Sequence, residues 1–134
     1  MNVHHVGYLV RDLASAQEEF LRLGFVVKSA AVRDFARGVD ICFIENGGYV
    51  LELISPIGAE SPLHPLLKKI QNSPYHICYE VEDLPGACAR FSADGYMLIG
   101  SPAPAPAISG GGGVMVCFLF SPQLGILELL QKNN

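Results

Sequence analysis

Two histidines and two glutamates stand among apolar residues, and they do so in two matching places. His5 opens the strand-like run Val6-Gly7-Tyr8-Leu9-Val10, and His76 opens Ile77-Cys78-Tyr79-Glu80-Val81. Glu52 interrupts Val50-Leu51-Glu52-Leu53-Ile54, as Glu128 interrupts Ile126-Leu127-Glu128-Leu129-Leu130. Taking a lone carboxylate out of water is costly, so a glutamate in mid-strand needs a compensating cation or a set of donors. Two imidazole nitrogens and two carboxylate oxygens suit one divalent ion of the zinc, nickel, cobalt, manganese or iron group, with positions left for water or substrate. One histidine at the head of a strand is more often a hydrogen-bonded core residue than a ligand, and one strand glutamate often faces solvent. The recurrence of both types together favours the ion.

The elements that must hold these residues repeat as well. Asp12-Leu13, Ala16, Phe20 and Gly24 return as Asp83-Leu84, Ala87, Phe91 and Gly95. Alternation predicts a first strand over about residues 3–10, and the apolar spacing after Asp12, a plausible N-cap, predicts a helix ended by Gly24. Strands follow over 25–32, 38–45 and 49–55, the last two joined by the tight turn Asn46-Gly47-Gly48. Ser61-Pro62 carries a helix-start pattern and leads into a short connecting helix, about 61–72, closed by Ser73-Pro74. A second strand–helix–three-strand set follows, with a strand over 75–82, a helix over 84–94 and strands over 95–100, 114–120 and 125–131. The expectation is an α+β chain of two tandem βαβββ modules, about 1–58 and 74–134, in one domain over 1–134. Within each module Leu51, Leu53, Leu127 and Leu129 should face the helix, which puts His5, Glu52, His76 and Glu128 on the opposite side of the strands. Ser101 to Gly113, proline-alanine and then four glycines, reads as a lid or a disordered connector. Its glycines precede a strand instead of opening a helix, so they fail the condition for a phosphate-binding loop.

Composition narrows the partners. The chain has 134 residues, half of them hydrophobic, enough for a real core. A net charge of -4 with nine scattered lysines and arginines leaves no stripe for a phosphate backbone, so nucleic acid is not expected as a partner. No apolar run approaches membrane-span length, and the chain opens directly into strand-like sequence without a charged leader, so a cytoplasmic location is the default expectation. Cys42, Cys78, Cys88 and Cys117 form no CxxC pair and read as reduced, buried small hydrophobes.

Longer stretches carry a family likeness. Val3-His4-His5-Val6-Gly7, Leu51-Glu52-Leu53-Ile54-Ser55-Pro56-Ile57-Gly58 running into Ser61-Pro62-Leu63, Tyr75-His76-Ile77-Cys78, and Val116-Cys117-Phe118-Leu119-Phe120-Ser121-Pro122 leading to Gly125-Ile126-Leu127-Glu128-Leu129 carry it. With these the chain resembles the vicinal oxygen chelate superfamily (glyoxalase, bleomycin resistance and dioxygenase proteins), the methylmalonyl-CoA epimerases most and glyoxalase I next. The resemblance spans essentially the whole chain. It implies a curved mixed-sheet cup with helices outside, a homodimer, and a metal held by His5, Glu52, His76 and Glu128. Two departures stand out: glyoxalase I enzymes commonly carry an arginine where this chain has Leu9, and some epimerases carry a third-strand glutamate where it has Val39-Asp40-Ile41-Cys42-Phe43.

The chemistry so implied is removal of a proton alpha to a carbonyl, with the metal as Lewis acid and Glu128 or Glu52 as base. Its substrate would be a small molecule, possibly a CoA or other thioester. The alternatives are a glyoxalase-type lyase acting on a thiol hemithioacetal and a non-catalytic small-molecule-binding protein. Arg33, Arg37 and Lys68-Lys69 are the cations available to grip a carboxylate or a phosphate, and each reads first as an ordinary surface charge.

Overall fold

The computed structural model describes residues 1–108 and 113–133. Eight strands and three helices follow one another as β1 (Asn2–Leu9), α1 (Leu13–Arg22), β2 (Val26–Asp34), β3 (Val39–Asn46), β4 (Tyr49–Pro56), α2 (His64–Ile70), β5 (Ser73–Glu80), α3 (Leu84–Ala93), β6 (Met97–Pro104), β7 (Met115–Ser121) and β8 (Gly125–Gln131). This is the expected α+β class, with the βαβββ order run twice. The residues gather into two compact units, one spanning His5–Tyr75 and the other the described residues from His76 onward with Met1–His4. Among the described residues no helix is long and apolar enough to cross a membrane.

In the first unit the strand order is β2-β3-β4-β1. β3 pairs antiparallel with β2 and β4, and β1 lies parallel to β4. Asp12 caps α1 as its sequence position predicts, its carboxylate accepting the Ser15 N–H at 2.9 Å. Leu13, Ala16 and Phe20 of that helix pack with Cys42, Ile44, Leu51 and Leu53. Alternation then leaves Ile41, Phe43, Glu52 and Ile54 on the other face, and all four are buried.

The second unit repeats the plan in the order β5-β8-β7-β6, with β5 parallel to β8 and the other pairs antiparallel. Asp83 caps α3 by accepting the Gly86 N–H at 3.1 Å. Leu84, Ala87 and Cys88 pack on Cys117, Leu119, Leu127 and Leu129. Val116, Glu128 and Leu130 are buried on the face away from the helix.

Ser73-Pro74, expected to close the connecting helix, instead open β5, and two further boundaries differ more from the sequence reading. β6 runs on through Ser101–Pro104, pairing Ala103 with Val116 and Pro104 with Met115. Proline is compatible there because β6 ends its unit's strand order, and the register breaks between Ile99 and Ala103, where Gly100 takes a φ of +75°. Residues 109–112, the centre of the expected lid, lie outside the described residues. α2 starts at His64, not Ser61: its N-cap is Leu63, no side chain caps it, and a proline occupies its first turn.

Candidate functional site

In the first unit the parallel β1–β4 ladder sets Gly7 against Glu52. His5 is two residues earlier on β1 and therefore shares the face of Gly7, whose missing side chain leaves the position beside Glu52 open. The imidazole reaches the carboxylate, with Nε2 3.4 Å from Glu52 Oε1. On the other flank of β4, Phe43 stands in register with Glu52, and its ring meets His5 edge-on at 5.4 Å and 82°. Both members of the pair are buried, His5 at 1% exposure and Glu52 at 5%.

The second unit builds the same pair from equivalent positions. Cys78 is in register with Glu128 on the β5 side and Phe118 on the β7 side. His76 Nε2 lies 3.2 Å from Glu128 Oε1, and the Phe118 ring meets the imidazole edge-on at 5.3 Å and 87°. His76 and Glu128 are 4% and 3% exposed. The structure thus brings each predicted histidine to the glutamate of its own unit, on the face turned away from the helix.

The donor set fits a divalent ion. Two ligand atoms about 2.0–2.1 Å from a zinc-like ion, at a tetrahedral angle, stand about 3.3 Å apart. The spacings of 3.4 and 3.2 Å match that separation, and the nitrogen and oxygen donors are of the type borderline metals take. Short of an ion, each contact still sets a polar ring nitrogen against the carboxylate, which would offset part of the cost of burying the glutamate.

The remaining sequence candidates separate cleanly. Asp40 lies on the β3 face opposite Phe43 and is held by Arg33, whose Nε and Nη2 donate to it at 2.8 and 3.1 Å. The hydrogen bond and charge of Arg33 hold the Asp40 carboxyl below its usual range. Leu9 is fully buried. Lys68 and Lys69 lie exposed in the last turn of α2. Arg37 is the exception to the surface-charge reading, since its guanidinium donates at 2.9 Å to the buried Asp34. All four cysteines are buried, as expected, and burial together with neighbouring Cys88 pushes the Cys117 thiol up to about 12. Sequence reasoning missed Phe43 and Phe118. The signal was present, because the dipeptide Cys-Phe recurs as Cys42-Phe43 and Cys117-Phe118 at matching places in the third strand of each set.

Paired βαβββ units, each closing an imidazole on a carboxylate, define a duplicated small-molecule scaffold with the donors for a divalent metal. Residues 4–118 match the family described as the Glyoxalase/Bleomycin resistance protein/Dioxygenase superfamily. The chain belongs to that superfamily. It is similar to the ethylmalonyl-CoA/methylmalonyl-CoA epimerase of Cereibacter sphaeroides, 32% identical over 103 residues that cover 76% of this chain and 77% of that protein. It is 28% identical to the mitochondrial methylmalonyl-CoA epimerase of Dictyostelium discoideum, over 98% of this chain and 78% of that one. The crystal structure of methylmalonyl-CoA epimerase from Mycobacterium tuberculosis superposes with a TM-score of 0.81 at 22% identity, covering 99% of this chain and 89% of the other, which speaks to the fold.

Proposed function

We propose that this chain is a metal-dependent epimerase that moves the proton alpha to the carbonyl of an acyl-CoA thioester, with a 2-alkylmalonyl-CoA as the substrate class. The observation that carries the reading is the buried imidazole–carboxylate pair at 3.4 Å in one unit and at 3.2 Å in the other. The similarity to epimerases of ethylmalonyl-CoA and methylmalonyl-CoA supplies the substrate class. His5, Glu52, His76 and Glu128 are the residues that would together hold one divalent ion. When bound, such an ion supplies Lewis-acid polarisation of the thioester carbonyl.

The proton itself is work for the chain's own side chains. Glu52 and Glu128 are the groups assigned to it, one as carboxylate removing the proton from one face of the carbon and the other as carboxylic acid delivering its own proton to the opposite face, which inverts the centre. The imidazoles of His5 and His76 orient those carboxylates, and Phe43 and Phe118 in turn fix the imidazoles. Asp40 has no part, because Arg33 holds it on the other face of β3. The proposal extends to a homodimer acting in the cytoplasm.

The test is exchange in heavy water. Protein loaded with divalent metal, given a single epimer of methylmalonyl-CoA or ethylmalonyl-CoA in deuterium oxide, is expected to place deuterium at the alpha carbon and to equilibrate the epimers. Stripping the metal should abolish both, and re-addition should restore them. Absence of exchange with every divalent metal of the group would defeat the reading.

A further inference from the structure

The first unit holds a cavity of about 450 Å³ that the chemistry above does not use. Phe35, Arg37 and Gly38, from the turn between β2 and β3, line it together with Ile57, Glu60 and Ser61 from the segment after β4. Ser61 is 7% exposed, and its buried hydroxyl has no hydrogen-bond partner among the described residues. An orphaned buried hydroxyl is unfavourable unless something else occupies its bond. It does not serve as a helix cap, since α2 has Leu63 at that position. A Cβ on Gly38 would stand 3.5 Å from the Ser61 Cβ and 3.6 Å from its oxygen, so the residue at 38 borders the serine on the cavity wall.

Arg37 is fixed rather than free to sweep solvent. Its backbone N–H and its Nη1 both donate to the buried Asp34, at 3.1 and 2.9 Å. Of the five N–H groups of a guanidinium, Asp34 takes one, and the others have no protein partner among the described residues. A planar cation held from behind, next to an unused hydroxyl, is the donor arrangement that recognises a phosphate oxyanion. Glu60, the one acidic group on the wall, is exposed, where solvent screens its charge. The space is of the size that takes a small organic molecule and much exceeds a lone phosphate. Phe35, 81% exposed, adds an aromatic surface of the kind on which bases stack.

We infer that this cavity binds a phosphorylated nucleoside, its phosphate on Arg37 and Ser61 and its base against Phe35. Resting on the thioester reading above, the source is the nucleotide end of the CoA carrier; a free nucleotide carries the same chemistry.

Calorimetric titration of the full chain tests it, using adenosine 3′,5′-bisphosphate, AMP and inorganic phosphate as probes. The bisphosphate is expected to bind saturably and more tightly than phosphate. Ser61→Ala and Arg37→Lys should each weaken it about tenfold, the size of one charge-assisted hydrogen bond lost. Melting curves check that both variants are folded, and Ser61→Ala, a small change with no partner to orphan, suffices if Arg37→Lys is not. In turnover the same variants should raise KM for the CoA thioester and leave KM for the pantetheine thioester of the same acyl group unchanged. Competition between bisphosphate and thioester assigns the pocket to the carrier, whereas binding without competition assigns it to a free nucleotide. No bisphosphate binding, or binding indifferent to both substitutions, overturns the inference. The titrations require no turnover, so they stand or fall apart from the epimerase reading.

Discussion

Phe118 stands edge-on to His76, ring centroids 5.3 Å apart and planes at 87°, while its own ladder position is directly across from Glu128. One aromatic ring thus braces the imidazole from the strand that also flanks the carboxylate. Edge-to-face ring pairs contribute about 0.5–1.5 kcal/mol beyond area burial. Phe118→Leu, which keeps most of the apolar volume, is expected to lower stability by about 1 kcal/mol. It should broaden the His76 ring resonances and reduce kcat more than it changes KM. Urea unfolding, imidazole NMR and steady-state kinetics check the three effects, and a His76 signal identical to that of the parent protein would refute the bracing role.

If both imidazole–carboxylate pairs serve one ion, metal analysis will find a single equivalent of divalent metal per chain. Glu52→Gln and Glu128→Gln should then each remove it, and each should lower turnover by about a hundredfold or more, the range of a lost acid–base group. Plasma mass spectrometry of the purified variants is the measurement. Two equivalents in the parent, with one surviving each substitution, would mean separate ions.

Asp40 offers a control at a carboxylate near, but not in, the chemistry. Arg33 holds its carboxyl below the ordinary value of 3.8, so the folded form binds a proton less readily than the unfolded one. The contribution to stability is therefore fully present above that ordinary value and is lost as pH falls through the depressed one. The pair is partly exposed, with side chains 52% and 24% accessible, so solvent screening keeps the effect small. Asp40→Asn should flatten the acid limb of a thermal melting series slightly and leave kcat within about twofold of the parent. A large loss of turnover would instead make Asp40 a base.

The thiols should be inert in the native state. Burial raises Cys42 and, with Cys88 beside it, pushes Cys117 up to about 12, so neither is a thiolate at neutral pH. Iodoacetamide is expected to leave the native protein unmodified at pH 7.5 and to label all four cysteines in guanidinium, as read by intact mass. The sign for stability follows: the raised thiol favours the fold fully below its ordinary value of 9.0, and the benefit is lost as pH rises toward about 12.

Much of this was legible in the residues because the repeat supplied an internal check. Helix-facing Leu51, Leu53, Leu127 and Leu129 alternate with Glu52 and Glu128, so strand period alone put the carboxylates on the far face, and Asp12 and Asp83 announced their helices by type and spacing. What escaped was tertiary in origin. The prolines and alanine over 101–104 read as the start of a loop, yet a strand at the end of the order needs only one side of its backbone paired, so β6 tolerates them. Ser61 has the type and spacing of a cap, but the chain turns into its helix three residues later and leaves the hydroxyl buried, without a partner among the described residues, beside a cavity. Phe43 and Phe118 drew no assignment, because ring-to-ring geometry has no signature in alternation.

Each imidazole finds its carboxylate on the last strand of its own unit, where a parallel ladder sets the two strands side by side. A stretch of half this length therefore carries one whole pair, and writing that stretch twice is enough to double the donors. Gly7 and Cys78 occupy the same station beside their glutamates with little in common, so the ladder itself, and not the residue there, sets that station.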